Sequence, residues 1–327
     1  NISSPGILDS LKKGSVDLGI VTLPIKDKEI ETDGFIEVED VFVASSRFSY
    51  LQNRPLEIKE LASLPLLLLQ KESSTRRNLD EFFAAKGYNI TPEIELESIE
   101  LLVEFDRICR KHNIIYSIDG GTLLGAVRHG GFIPWDDDAD VMIYRSEYEK
   151  FLRVVDQELN TDKFYFQDIN RTPGYRWGYA KLRRKDTEFV RFNQEHMPYE
   201  QGIFLDIFVA DNVPDNYILR CICNFNSFIY RKIFYSEVGK YAAKGPAKLV
   251  YKLLSLIPEQ TVKNSYARYV KFRNRKKTKL VKYLTFPAFN RVYGNKREWY
   301  EDVIDMEFEG VTLKACRDYD GYLKFHF

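Results

Sequence analysis

The run Pro134-Trp135-Asp136-Asp137-Asp138-Ala139-Asp140-Val141-Met142-Ile143 places four carboxylates within five residues and leads straight into apolar sequence. If the run is extended, alternate side chains share a face, so Asp136, Asp138 and Asp140 point one way and Asp137 the other. Carboxylates stacked on one face repel one another unless a cation neutralises them. An all-oxygen set of this kind suits Mg²⁺ or Mn²⁺. A solvated acidic turn is the plain alternative, but Trp135 on one side and Val141-Met142-Ile143 on the other argue for a half-buried position. A second signal lies in Gly202–Val209 (GIFLDIFV), where Asp206 alone interrupts an apolar strand. A buried carboxylate needs a cation, a metal or a donor. The plain reading is a structural Asp paired with an arginine; the functional one is that this strand pairs beside the Asp138 strand and completes a three-carboxylate site, with Asp211 read as a turn residue past the strand end.

Elements that could position these groups are legible around them. Leu101, Leu102, Phe105, Ile108 and Cys109 recur at helical spacing, predicting an amphipathic helix over 99–112. Ile114–Ile118 reads as a short strand broken by Asp119-Gly120-Gly121, and Thr122–His129 as a helix with Thr122 at the N-cap. Glycines between a strand and a helix let backbone approach a ligand closely, and a helix N-terminus favours an anion such as phosphate. Most such pairs are only turns. Ala139–Tyr144 reads as a strand, and Tyr217–Lys282, rich in aromatics and cations, as helices.

The first hundred residues have a different texture. Val16–Leu23, Asp40–Ser45, Leu64–Leu69 and Ile94–Glu97 read as strands, with a helix over Ser74–Lys86 ending at Gly87. Strands alternating with helices imply an open α/β layer. No phosphate loop or activated nucleophile appears there, so any function would be the binding of a small molecule in a cleft.

Composition narrows the function classes. The 327 residues suggest about two domains. Lys+Arg and Asp+Glu both count 48, and this zero net charge argues against nucleic-acid binding through overall basicity. The balance hides an asymmetry: residues 1–100 carry 7 Lys and 4 Arg against 6 Asp and 12 Glu, a net −7, leaving +7 for the rest. Two segments of opposite sign suggest two origins. Four cysteines without a CxxC pair make neither a disulfide framework nor a zinc site and fit a reducing compartment. No apolar run reaches the length of a membrane span, and no signal peptide is visible. A chain opening on Asn1 is expected to be a piece of a longer protein. Between Lys263 and Arg297 there is no acidic residue, and KFRNRKKTK concentrates positive charge; the plain reading is a solvated helix face, the sharper one a contact with an anionic membrane leaflet or a polyanionic glycan precursor.

Two resemblances follow from these residues. LKKGSVDLGIVTLPI, VEDVFVASS, ELASLPLLLLQKESSTRRNLDEFFAAKGY and PEIELESIELLVEF resemble the effector-binding domain of LysR-type transcriptional regulators, over residues 1 to about 105. That resemblance implies an incomplete periplasmic-binding-like layer in which Ser73–Arg77 opens a helix at the effector cleft. The helix-turn-helix and the returning second half of that domain are missing, so no DNA binding and no complete cleft are expected. From about residue 100 onward, LLVEFDRICRKHNIIYSIDGGTLLGAVRHGGFIPWDDDADVMIYRSEYEKF, GYAKLRRKDTEF, GIFLDIFVAD and MEFEGVTLKACRDYDGYL resemble the LicD family, relatives of the fukutin proteins. The junction ELESIELLVEF fits both, which reads as a fusion through recombination or sequence assembly.

The second resemblance implies an α+β nucleotidyltransferase-like domain over 101–327 with a helical C-terminal region. It also implies metal-dependent transfer of phosphocholine, or a related phospho-alcohol, from CDP-choline or another CDP-alcohol to a cell-surface glycan such as teichoic acid or lipopolysaccharide. Carried over, Asp138 and Asp140 are the catalytic metal-binding pair, Asp136 supports them, and Asp206 is the third carboxylate, either a ligand or the acceptor of the glycan hydroxyl's proton. Gly120, Gly121 and Thr122 would face the nucleotide phosphates, and Arg128 and Lys181 are candidate phosphate clamps, although exposed surface cations explain them nearly as well. Two departures touch the C-terminal lid: Ala315-Cys316-Arg317 stands where the family usually has proline, and the chain stops at Phe327 where the family continues. The expected setting is cytoplasmic, with a peripheral contact at the inner membrane face. The competing reading is a LysR-like sensor fragment fused to an inactive LicD-like domain.

Overall fold

A computed structural model of the chain describes residues 4–327 apart from 20, 22–26, 28, 35–41, 43–45, 52–53, 65, 69–73, 89, 91–93, 96–97, 134–135, 137 and 290–291. The chain divides into two compact units, Asn1–Leu96 and Glu97–Phe327. In the first, a helix over Ser74–Ala85 connects two short parallel strands, Leu67–Leu68 and Ile94–Glu95. The helix stops where Gly87 turns to a positive φ of 82°. Among the described residues the unit also has helices at Ser4–Lys12 and Ile58–Ala62 and a 3₁₀ turn at Ser46–Leu51. Of the expected strand Val16–Leu23, the described residues 16–19 and 21 are not in a strand, and 20, 22 and 23 lie outside the described residues. The expected strand Asp40–Ser45 lies outside them except for Phe42.

The second unit opens on helix α1 (Ser98–Lys111). Leu101, Leu102, Phe105, Ile108 and Cys109 form its inner face, all fully buried. Strand β1 (Tyr116–Ile118) follows, then α2 (Gly120–His129), β2 (Ala139–Tyr144), α3 (Arg145–Glu158), β3 (Phe164–Gln167), β4 (Ala180–Arg184) and β5 (Phe204–Val213). Four helices come next: α4 (Tyr217–Phe234), α5 (Ser236–Ala242), α6 (Gly245–Ser255) and α7 (Glu259–Arg273). The chain then forms β6 (Leu280–Lys282), β7 (Asn295–Lys296), α8 (Glu298–Glu301), the hairpin β8 (Val303–Phe308) and β9 (Val311–Cys316), and α9 (Tyr319–His326).

The result is a mixed α/β fold on one sheet of nine strands, ordered β8-β9-β1-β2-β5-β4-β3, with β6 and β7 continuing from β5. β2 and β5 run parallel at its centre, and every residue of β5 is buried. Phe105 of α1 packs against Tyr116 and Phe151, with ring centroids 5.0 and 5.1 Å apart. A second apolar cluster joins Val213 at the end of β5 to Cys223, Phe234, Val262 and Tyr266 of the helical segment.

Three local expectations are corrected. Tyr217–Lys282 is helical as far as Arg273, but its last residues, Leu280–Lys282, pair antiparallel with the end of β5. β5 therefore runs on to Val213, and Asp211 is not a turn residue: it sits fully buried inside the strand. Its carboxylate accepts two bonds of 2.8 Å from the Arg145 guanidinium and one of 2.6 Å from Asn274 Nδ2, which is why a strand interior tolerates it. Finally, α2 begins at Gly120, so Thr122 lies inside its first turn and the N-cap is Asp119.

Candidate functional site

The carboxylates come together through strand register. β2 and β5 are parallel neighbours with Asp140 opposite Asp206, so the two side chains stand side by side on one face. Asp138, two residues before Asp140, joins them. Asp138, Asp140 and Asp206 each present one carboxylate oxygen within 4.8 Å of the others. That span is close to the roughly 4 Å separating opposite ligands of one octahedral Mg²⁺. Asp136 is not one of the three; its carboxylate lies against Gly121, and its N–H donates to the Ile133 carbonyl at 2.8 Å.

Electrostatically the arrangement is loaded. Burial pushes the Asp140 carboxyl well above the usual range, and the charges of Asp206, Asp138 and Asp119 push the same way. Asp140 Oδ1 is buried without a hydrogen-bond partner among the described residues. Two cations offset the acids. Lys181 on β4, in register with Asp206, donates its ammonium to that carboxylate. Desolvation lowers the ammonium to about 7, against the upward pull of Asp206. Arg191, in the loop between β4 and β5, reaches Asp138 Oδ2 at 3.1 Å and Asp206 Oδ2 at 3.8 Å. Both cations sit over the Phe204 ring, at 3.3 Å for Lys181 and 4.5 Å for Arg191.

Helix α2 is pinned against this site at its first turn. The Asp119 N–H donates to the Asp140 carbonyl at 3.0 Å, and the Asp140 N–H donates to Thr122 Oγ1 at 2.8 Å. The glycines permit the approach. Gly120 adopts φ +53°, and a Cβ there would lie 3.3 Å from Asp140 Oδ2; at Gly121 it would lie 2.3 Å from Asp136 Oδ2. Arg128 sits at the opposite, exposed end of the helix, about 12 Å along its axis at 1.5 Å per residue. Lys181 is thus brought to the carboxylates and Arg128 is not.

Some residues of this neighbourhood carried no signal in the sequence. Arg191 stands in an irregular stretch with nothing to distinguish it. Asp119, read only as part of a chain break, is fully buried at the head of α2. It accepts hydrogen bonds from Tyr283 and, at 3.4 Å, from Tyr300, while the Gly120 N–H beside it donates to Tyr322 Oη at 3.1 Å. Burial raises the Asp119 carboxyl, and the tyrosine hydroxyls oppose that shift. Those three tyrosines lie 164 to 203 residues further along the chain, so only the fold could reveal them. Through Tyr322, α9 is tied to the turn that faces the carboxylates.

A mixed α/β unit with three acids converging from adjacent strand starts, beside a glycine-led helix, defines a class of site suited to handling phosphates through a divalent cation. Residues 113–235 match the family model described as LicD/FKTN/FKRP, nucleotidyltransferase domain, and residues 2–105 match LysR substrate binding domain. Both resemblances read from the sequence are borne out, each over its own part of the chain. The chain is 29% identical over 240 residues to the lipopolysaccharide cholinephosphotransferase LicD of Haemophilus influenzae, covering 71% of this chain and 87% of that protein. It is 62% identical over 29 residues to the ribitol 5-phosphate transferase FKRP of Mus musculus, covering 9% of this chain and 6% of that protein. The other unit resembles the HTH-type transcriptional activator CmpR of Synechocystis, 26% identical over 96 residues, or 29% of this chain and 32% of that regulator.

Proposed function

We propose that residues 97–327 transfer a phospho-alcohol group, phosphocholine or a close analogue, from a CDP-alcohol to a hydroxyl of a cell-surface glycan such as lipopolysaccharide or teichoic acid. The observation that carries this reading is the convergence of Asp138, Asp140 and Asp206, with a buried oxygen of Asp140 left without a hydrogen bond among the described residues. Like charges held together at a half-buried position are unfavourable for folding and make sense as a cation site. The likeness to a cholinephosphotransferase and a ribitol 5-phosphate transferase supports the substrate class.

In this reading Asp138, Asp140 and Asp206 hold Mg²⁺ or Mn²⁺, with Asp136 in support. The cation would neutralise negative charge on the donor's pyrophosphate oxygens. The acceptor hydroxyl oxygen forms a bond to the phosphorus bearing the alcohol, the P–O bond to CMP breaks, and the hydroxyl proton leaves to a base. Gly120, Gly121 and Thr122 supply the helix start against which the nucleotide phosphates rest. Among the arginines, Arg191 rather than Arg128 stands where it could steady a phosphate, and Lys181 acts by holding Asp206. Asp119 and its tyrosines fix the first turn of α2.

Radiolabelled CDP-choline, CDP-ribitol and CDP-glycerol, offered with Mg²⁺ and either lipopolysaccharide or teichoic acid, test the reading. Label transfer with release of CMP from at least one donor is expected; no transfer and no CMP from any donor contradicts it. The match of residues 2–105 to LysR substrate binding domain favours a second reading of that unit, a sensor. There a small organic acid, and not a CDP-alcohol with Mg²⁺, would raise the melting temperature.

A further inference from the structure

We propose that α4 and α6 together lay one face on an anionic lipid bilayer. The proposal rests on their exposed surface and is independent of the transfer chemistry. On α4, Ile218, Ile222, Phe225 and Ile229 recur at steps of four, three and four, and all are exposed to solvent. On α6, Leu249 and Leu253 are exposed on one face, and Leu256 just beyond the helix is 75% exposed. The two helices pack side by side around an apolar groove of about 380 Å³, with Phe228 and Ile233 on one wall and Val250 and Leu254 on the other. Beside α4, in the loop between β6 and β7, the Phe289 ring lies 5.7 Å from Phe228 and is 65% exposed. Exposed apolar side chains on both helices, flanking an apolar groove, call for an apolar partner.

Charge decides which partner. Neither helix contains an Asp or Glu, and between them they carry Arg220, Arg231, Lys232, Lys248 and Lys252. Lysine stems can lie along apolar surface while the ammonium reaches outward, the arrangement of helices that rest in the plane of an anionic interface. Isologous pairing with a second copy would instead press one basic patch against another. Among the described residues no helix is long and apolar enough to cross a membrane, so the contact proposed is in-plane.

The cations of this contact come from the two helices and not from the basic run between Lys263 and Arg297. In the fold that run is spread over α7, a loop and β6, and several of its cations are paired with acids. Lys263 meets Glu259 and Lys277 meets Glu301, each at 2.6 Å, and Lys296 meets Glu298 at 3.2 Å.

The test is flotation of the full chain with vesicles of phosphatidylcholine alone and of phosphatidylcholine mixed with phosphatidylglycerol. The wild type should float with the mixed vesicles and remain behind with the neutral ones. A Leu249→Ser/Leu253→Ser variant and a Lys248→Glu/Lys252→Glu variant, all at exposed positions, should each lose about tenfold or more in bound fraction with unchanged circular dichroism. Wild type that ignores the mixed vesicles, or variants that bind as well as it does, overturns the proposal. So does a wild-type dimer in solution that the leucine variant splits without any vesicle binding, which would assign the face to a second copy.

Discussion

Asp140→Asn should remove transfer while leaving the fold as stable as before or more so. The substitution keeps the shape of the side chain and deletes one of three charges that repel one another at a half-buried position. In the metal-free protein that deletion relieves repulsion, so the melting temperature should hold or rise. During turnover the same deletion removes an anionic ligand, and losing one group that stabilises developing charge costs on the order of 10²–10³ in rate. Steady-state CMP release and a thermal melt of the same preparation check both halves. Asp138→Asn should behave alike. A variant that melts well below the wild type, or turns over like it, would show that Asp140 is a structural residue.

Arg145→Met should do the opposite. Arg145 and Asp211 form a bidentate pair between α3 and β5, and the Asp211 side chain is fully buried. Removing the arginine strands a buried carboxylate with, among the described residues, the Asn274 amide, and breaking such a pair costs about 3–5 kcal/mol. A chemical denaturation series should show that loss, with transfer rates unchanged below the melting range. Asp206 and Asp211 are five positions apart on the same strand, an odd step, so the two acids face opposite sides of the sheet. On the proposed reading Asp211, held by arginine, serves the fold, while Asp206, which meets Lys181 and also lies against Asp138 and Asp140, serves the cation. A double variant with Asp211→Leu should recover much of the lost stability, since a buried pair can be exchanged for apolar residues at little net cost.

The contrast also shows what the sequence could carry. Where neighbours in the chain decide, the reading held: the spacing of Leu101, Leu102, Phe105, Ile108 and Cys109 fixed the buried face of α1, and Ala139–Tyr144 is a strand with those ends. The apposition of the Asp206 and Asp138 strands was legible because a lone acid in an apolar strand demands a partner. Distant partners were not legible. Asp211 looked like a turn residue because Arg145 and Asn274, which make its burial tolerable, lie 66 residues before it and 63 after it. Thr122 looked like an N-cap because Asp119 is held by tyrosines from the far end of the chain, which let α2 start two residues earlier. Arg191 reached the acids through a loop whose path no periodicity announces.

Mn²⁺ titration followed by paramagnetic resonance or calorimetry is the most direct test of the site. The wild type should bind one Mn²⁺, displaced by excess Mg²⁺, and Asp140→Asn and Asp206→Asn should each abolish that binding. Wild-type protein that takes up no Mn²⁺, or variants that bind it as tightly, would contradict the assignment of Asp138, Asp140 and Asp206 to one cation.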